Sequence, residues 1–299
     1  MITARKTEEH LAVSRAIETR GDTEVLSALV EGQERAISAV RHAIPAIAKA
    51  SIIVVRTISS GGTLFYAGAG SSIRAGVMDG SELHSTFSLP ESRVKFLIAG
   101  GPAAMFETLG HAEDDDAAGA AAAASCGAAD CLIAIAASGT TPFTLAAATA
   151  AKSQGCQVIA LVNNSGSPLA ATADVEIFLD TGPEVIAGST RLGAGTAQKA
   201  ALNLLSTLAF IRLGAVYDGM MVDVAAGNRK LMRRAASIVS AITGESTERS
   251  AEALKLSLGH VKPAALMLSG VTSLTAAHKI LSDSDGNLRL ALSRVKAKE

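Results

Sequence analysis

Five short apolar runs constrain this chain more than any other feature. They are "TLFYAG" at 63–68, "VKFLIAG" at 94–100, "DCLIAIAAS" at 130–138, "QVIALVNN" at 157–164 and "VEIFLD" at 175–180. Each has strand length and is closed by small or polar residues. Helical patterns stand between them, at 72–82, after an Asp cap around 114–116 and from Pro142 onward, and a long one follows the last run over 195–216. Continuous apolar strands joined by helices predict an α/β fold, with a five-stranded parallel sheet covered by helices on both faces. Residues 22–60 read as helix, with Asp22 as its cap and Pro45 starting or kinking a second helix. After about residue 235 short helices, broken by Gly or Pro, replace the strand pattern. The expected organisation is an N-terminal helical segment over 1–60, the sheet domain over 61–235 and a small C-terminal helical domain over 236–299.

Composition narrows the class. Of the 299 residues 48% are hydrophobic but only 3% aromatic, with no Trp, so Ala, Val, Leu and Ile must build the core through close helix approach. The net charge is −1 and no block of five like charges occurs, which argues against nucleic acid as a partner. Cys126, Cys131 and Cys156 are odd in number and lack metal-ligand spacing. They read as reduced, buried thiols of a cytoplasmic protein. The N-terminus "MITARKTEEHLAVSRAIETRGD" is charged and has no apolar stretch of a signal peptide, and no membrane span is expected.

Two strand ends repeat one idea. The first runs into "GAGSS" and the third into "ASGTTP", and both open a helix. Free backbone N–H groups at a helix start, with the positive end of the dipole, suit an anion. Gly70 and Gly139 let the backbone approach a ligand, while Ser71, Ser72, Ser138, Thr140 and Thr141 add hydroxyl donors. "GAGSSIRAG" is neither a Gly-Lys-Ser/Thr phosphate loop nor a GxGxxG match, since Ile73 stands where the third glycine would fall. A sugar phosphate therefore fits better than a nucleotide. Two carboxylates, Glu82 in "DGSELHSTF" and Glu113 in "HAEDDD", are placed near the carboxyl end of the sheet and can share acid and base work. The alternative is that Glu82 merely ends a helix and Glu113 belongs to a solvated acidic run.

In order along the chain stand "GAGSSIRAGVMDGSE", "IAGG" with a following "AED", "AASGTTP", "GPEVIAGSTRLGAGTAQKAALNLLST" and "VYDGMMVDVAAGNRKLMRRA". Together they resemble the N-acetylmuramic acid 6-phosphate etherases of the sugar isomerase (SIS) domain superfamily, over roughly residues 22–290. The resemblance implies a flavodoxin-like SIS domain and no metal or organic cofactor. It implies cleavage of the lactyl ether at C3 of N-acetylmuramic acid 6-phosphate, giving N-acetylglucosamine 6-phosphate and D-lactate. The family's proton donor falls at Glu82 and its second glutamate at Glu113. A neutral carboxylic acid must protonate the departing ether oxygen, so partial burial of Glu82 is expected. By the same resemblance Glu184, Ser189 and Thr190 border the sugar site, and Lys199, Asn203, Asn228 and Lys230 match family positions. SIS domains pair and share active-site residues, so a homodimer is expected, with Lys230 as a group that reaches across.

The chain departs from the family pattern in places. Ile73 replaces a Gly, Thr140 an Arg and Gly193 a Lys, and "LHSTF" at 83–87 stands where the family reads CPPTF. Two positive charges are thereby lost while both glutamates are kept. His84 and His111, beside the two glutamates, are further candidates for proton transfer or ligand contact. Arg191 is another, with Asp223 as an alternative ion-pair partner. Two other activities are alternatives for the same residues: aldose–ketose isomerisation of a phosphosugar, and non-catalytic sensing of a sugar phosphate.

Overall fold

The computed structural model describes residues 6–107, 109–224 and 229–297. The chain opens with three single turns of 3-10 helix, at Lys6–Glu8, Ala12–Ser14 and Ile17–Thr19. Helices α1 (Asp22–His42) and α2 (Ile44–Ser59) follow, with Pro45 in the first turn of α2. Pro lacks an N–H, and the first turn is where none is needed. Gly21, not Asp22, holds the capping position of α1, so Asp22 instead contributes charge to the first turn.

The sheet is built from β1 (Leu64–Gly68), β2 (Val94–Ile98), β3 (Cys131–Ile135), β4 (Gln157–Val162) and β5 (Val175–Phe178). All pairings are parallel and the strand order is β2-β1-β3-β4-β5. Every residue of β1 and β3 is buried, as continuous apolar runs demand, whereas the edge strands β2 and β5 carry exposed Lys95 and Glu176. Helices α3 (Gly70–Phe87), α4 (Asp116–Ala122), α5 (Pro142–Ser153), α6 (Pro168–Thr172) and α7 (Gly193–Arg212) alternate with or follow the strands. Chain order reverses at β1, which has β2 on one side and β3 on the other. In open parallel sheets ligands sit at this switch, beyond the strands' carboxyl ends.

Contacts divide the chain into two compact units, residues 1–81 with 92–206 and residues 82–91 with 207–299. The second unit contains the ends of α3 and α7 and a hairpin of β6 (Val216–Tyr217) and β7 (Met220–Met221). Asp218 and Gly219 make its turn with positive φ. Sequence reading passed over this hairpin although Asp-Gly is its usual signal. Helices α8 (Arg229–Thr243), α9 (Thr247–Leu256), α10 (Val261–Leu268), α11 (Leu274–Ser282) and α12 (Leu288–Lys296) complete the unit around an apolar core of their own.

Cys126, Cys131 and Cys156 are buried free thiols. Burial holds the Cys131 thiol far above its ordinary range, so it is an inert core group.

One buried polar cluster ties the first unit together. The Asp79 carboxylate on α3 accepts from Tyr66 Oη of β1 at 2.9 Å, Asn203 Nδ2 of α7 at 2.8 Å and Ser206 Oγ of α7 at 2.9 Å. Burial, then the Asp79 charge, hold the Tyr66 phenol well above its usual value, so it stays a donor. Asp79→Ala strands these donors, and a loss of at least about 2 kcal/mol is expected from urea unfolding, with Asp79→Asn losing less. An unchanged urea midpoint for Asp79→Ala would show the cluster to be dispensable.

Candidate active site

A cavity of about 460 Å³ opens where β1 and β3 end. At the first wall β1 turns through Ala69 and Gly70 straight into α3, with Gly70 at φ +53°. Ser71 and Ser72 in the first turn line the cavity. The second wall is the link from β3 to α5. Ser138, Thr140, Thr141 and Pro142 line it, and Ser138 Oγ accepts from Thr140 N at 3.2 Å. Both walls therefore present hydroxyls at a helix start, the arrangement expected for an anion.

Glu113 and Asp114 supply an acidic rim. The run "EDDD" is divided by local geometry. The Asp115 carboxylate caps α4, accepting from Ala118 N at 2.8 Å, and Asp116 enters the first turn of that helix. Ala112 is buried and anchors the single turn Ala112–Asp114, which leaves Glu113 exposed toward the cavity. A smaller cavity of about 170 Å³ shares Ala69, Gly70, Ser71 and Glu113 with the first and is bordered by Arg74 and Glu107. The Arg74 guanidinium donates to Ala104 O at 3.0 Å.

Of the residues singled out from sequence, Gly70, Ser71, Ser72, Glu113, Ser138, Thr140, Thr141 and Thr190 line the main cavity. The others are placed differently. Gly139 has φ +66°, and a Cβ there would meet Ser167 Oγ at 2.1 Å, so it serves the turn itself. Its N–H donates to Ala136 O and its carbonyl accepts from Leu169 N, so its backbone is also occupied. Glu184 is buried, and its two oxygens accept from Gly193 N and Ala194 N, each at 2.9 Å. It is an acidic cap on the N-terminus of α7 and not a wall of the cavity. Ser189 is half-buried outside the lining, and Arg191 is exposed. Asp223, offered as the partner of Arg191, pairs with Lys262 at 2.6 Å.

Glu82 lies in the second unit, near the end of α3. It is exposed, contrary to the partial burial expected of it, because Leu83 takes the core-facing side of the helix. His84 Nδ1 is 3.0 Å from Leu89 O, and His111 is an exposed residue that precedes the turn carrying Glu113. Lys199 and Lys230 are exposed on α7 and α8. Asn203 belongs to the Asp79 cluster, and Asn228 lies outside the described residues.

Ile73 does not face the cavity. It is 2% exposed and packs beneath the first turn of α3, where a Cβ on Gly68 would touch its Cβ at 3.2 Å. The departure from glycine at 73 is thus a core substitution, whereas Thr140 stands in the lining. Sequence reading missed Thr7, Glu8, Asp114 and Gly188, which also line the cavity. Thr7 and Glu8 sit in a charged stretch with no periodicity, and only pairing with distant residues brings them here. Among the described residues that line the main cavity, none carries a positive charge.

Comparison with known proteins gives a consistent result. Residues 107–208 match the SIS domain family, and residues 46–152 match the glucokinase regulatory protein N-terminal SIS domain. An N-acetylmuramic acid 6-phosphate etherase of Deinococcus radiodurans is 43% identical, covering 99% of this chain and 98% of the relative. One from Streptomyces avermitilis is 44% identical over 90% of this chain and 87% of its own length. Among solved structures, a phosphoheptose isomerase from Francisella tularensis superposes with a TM-score of 0.51 at 23% identity. It covers 64% of this chain and 98% of that one, which is a likeness of fold.

Proposed function

The chain belongs to the N-acetylmuramic acid 6-phosphate etherase family, and we propose that the cavity beyond β1 and β3 is where it performs that reaction. It is a carbon–oxygen lyase that releases D-lactate from N-acetylmuramic acid 6-phosphate and leaves N-acetylglucosamine 6-phosphate. The open-chain aldehyde makes the C2 proton acidic. Its removal expels lactate from C3, and water then adds to the unsaturated aldehyde.

The residues divide this work by chemistry. Ser71, Ser72, Ser138, Thr140 and Thr141, with the N–H groups of the two helix starts, hold the phosphate through neutral donors. Glu113 and Glu82 are the acid–base pair, Glu82 protonating the departing ether oxygen. Thr190 contacts the sugar, while Glu184 acts indirectly by fixing the start of α7. The convergence of two hydroxyl-bearing helix starts on one cavity, with Glu113 on its rim, carries this reading.

A homodimer fits the surface of α1. Leu26, Val30 and Ile37, and Ile44 just beyond the helix end, are exposed large apolar residues spaced by four and seven. Such a stripe suits a partner helix. We place the enzyme in the cytoplasm, in the recovery of cell-wall sugars. Among the described residues no single helix is long and apolar enough to cross a membrane.

Incubation with N-acetylmuramic acid, with and without the 6-phosphate, tests the reading. D-lactate is expected from the phosphorylated sugar, with solvent oxygen incorporated at C3. Conversion to a ketose without lactate would replace the etherase by an isomerase, and absence of any turnover would leave a sugar-phosphate sensor.

A further inference from the structure

The N-terminal turn Lys6–Glu8 is held against the cavity by contacts with residues far along the chain. Thr7 is 1% exposed. Its carbonyl accepts from Gly188 N at 2.9 Å, and its hydroxyl accepts from Asn164 Nδ2 at 3.3 Å. The same Asn164 amide donates to Ala137 O at 2.9 Å, which ties this turn to the wall that follows β3. Lys6 pairs with Asp180 at 3.0 Å. Anchored on both sides, the turn has one remaining side chain, Glu8, and it lines the cavity.

The position of the Glu8 carboxylate depends on a glycine. A Cβ at Gly188 would lie 2.7 Å from Glu8 Oε2, so residue 188 leaves the space the carboxylate occupies. Among the described residues Glu8 has no hydrogen-bond or ion-pair partner. A carboxylate set at a cavity wall by buried neighbours, with its own oxygens unclaimed, has acceptor capacity to offer a ligand.

Its charge decides which part of the ligand it meets. The substrate carries a phosphate and a lactyl carboxylate, both anionic, together with hydroxyls and an amide N–H. A carboxylate repels the first two and accepts from the others. The walls at the starts of α3 and α5 carry the donors that anions need. We propose that Glu8 is a specificity residue of this site. It accepts a hydrogen bond from a hydroxyl or the amide N–H of the bound amino sugar, and its charge turns the phosphate toward the helix starts. This inference rests on the etherase reading for its ligand, and the test separates the two.

The experiment uses the full-length protein, its Glu8→Gln and Glu8→Ala variants, and direct calorimetric binding of two probes: N-acetylglucosamine 6-phosphate and inorganic phosphate. Because Glu8 is exposed, both variants are expected to keep the wild-type melting temperature. Loss of one charge-assisted hydrogen bond weakens the sugar phosphate by about 10- to 100-fold in Glu8→Ala, and by less in Glu8→Gln, whose amide oxygen still accepts. Inorganic phosphate binds as before or more tightly, since a negative charge has gone. KM for N-acetylmuramic acid 6-phosphate rises by the same factor while kcat falls less. Sugar-phosphate affinity within about twofold of wild type in both variants overturns the proposal. So does a parallel loss for both probes, which signals a disturbed wall. A wild-type protein that binds both probes but releases no D-lactate ends the etherase reading alone.

Discussion

Glu113→Gln is expected to lower D-lactate release by about 100- to 10,000-fold, with KM changed far less. Glutamine keeps the size and polarity of the side chain and removes only its capacity to take or give a proton. The carboxylate is anchored through Ala112, whose burial fixes the turn, and through Asp115, whose cap on α4 fixes the next one. Neither anchor uses the Glu113 side chain, so the variant should fold and bind as wild type does. Binding of N-acetylglucosamine 6-phosphate by calorimetry and lactate release by a coupled assay together check this. Retained turnover with a tenfold higher KM would instead make Glu113 a binding group, since uniform binding and transition-state stabilisation separate in that way. Asp114 is the control. It lines the same cavity one residue along, and Asp114→Asn is expected to stay within about tenfold of wild type.

How much of this was legible in the sequence depends on how local each signal is. β1 and β3 were read to within a few residues because a strand buried on both faces has to be an uninterrupted apolar run. The two loops were legible because small and hydroxyl residues at a helix start have a local physical meaning. Glu184 was not, since its partners Gly193 and Ala194 are brought to it by a loop that no periodicity describes. Glu8 and Thr7 failed for the same reason over a longer span. Ile73 is different, because its place was available in the pattern. Ile73, Gly76, Gly80 and Leu83 follow one face of α3, and Cβ atoms at 76 and 80 would press on Tyr66. Reading that face as core would have marked Ile73 as a packing substitution and left Thr140 as the departure that alters the lining. The exposed setting of Glu82 follows from the same helix face, with Leu83 turned inward.

That exposure gives the second large prediction its form. Glu82→Gln is expected to lower lactate release about as far as Glu113→Gln, roughly 100- to 10,000-fold, because both carboxylates are assigned to proton transfer in one reaction. Groups that act as a unit are not additive, so the double variant should be little worse than either alone. Glu82 is exposed in the chain taken by itself, and in a homodimer the acid pair can be drawn from one subunit or from two. Mixing the single variants decides which. If each site takes Glu82 from one subunit and Glu113 from the other, an equal mixture that exchanges subunits forms hybrids with one intact site, and about a quarter of wild-type activity returns. If both acids come from one chain, no hybrid holds an intact pair and the mixture stays as inactive as its components. Full activity in Glu82→Gln alone would remove Glu82 from the chemistry, and a different donor to the ether oxygen would then be required.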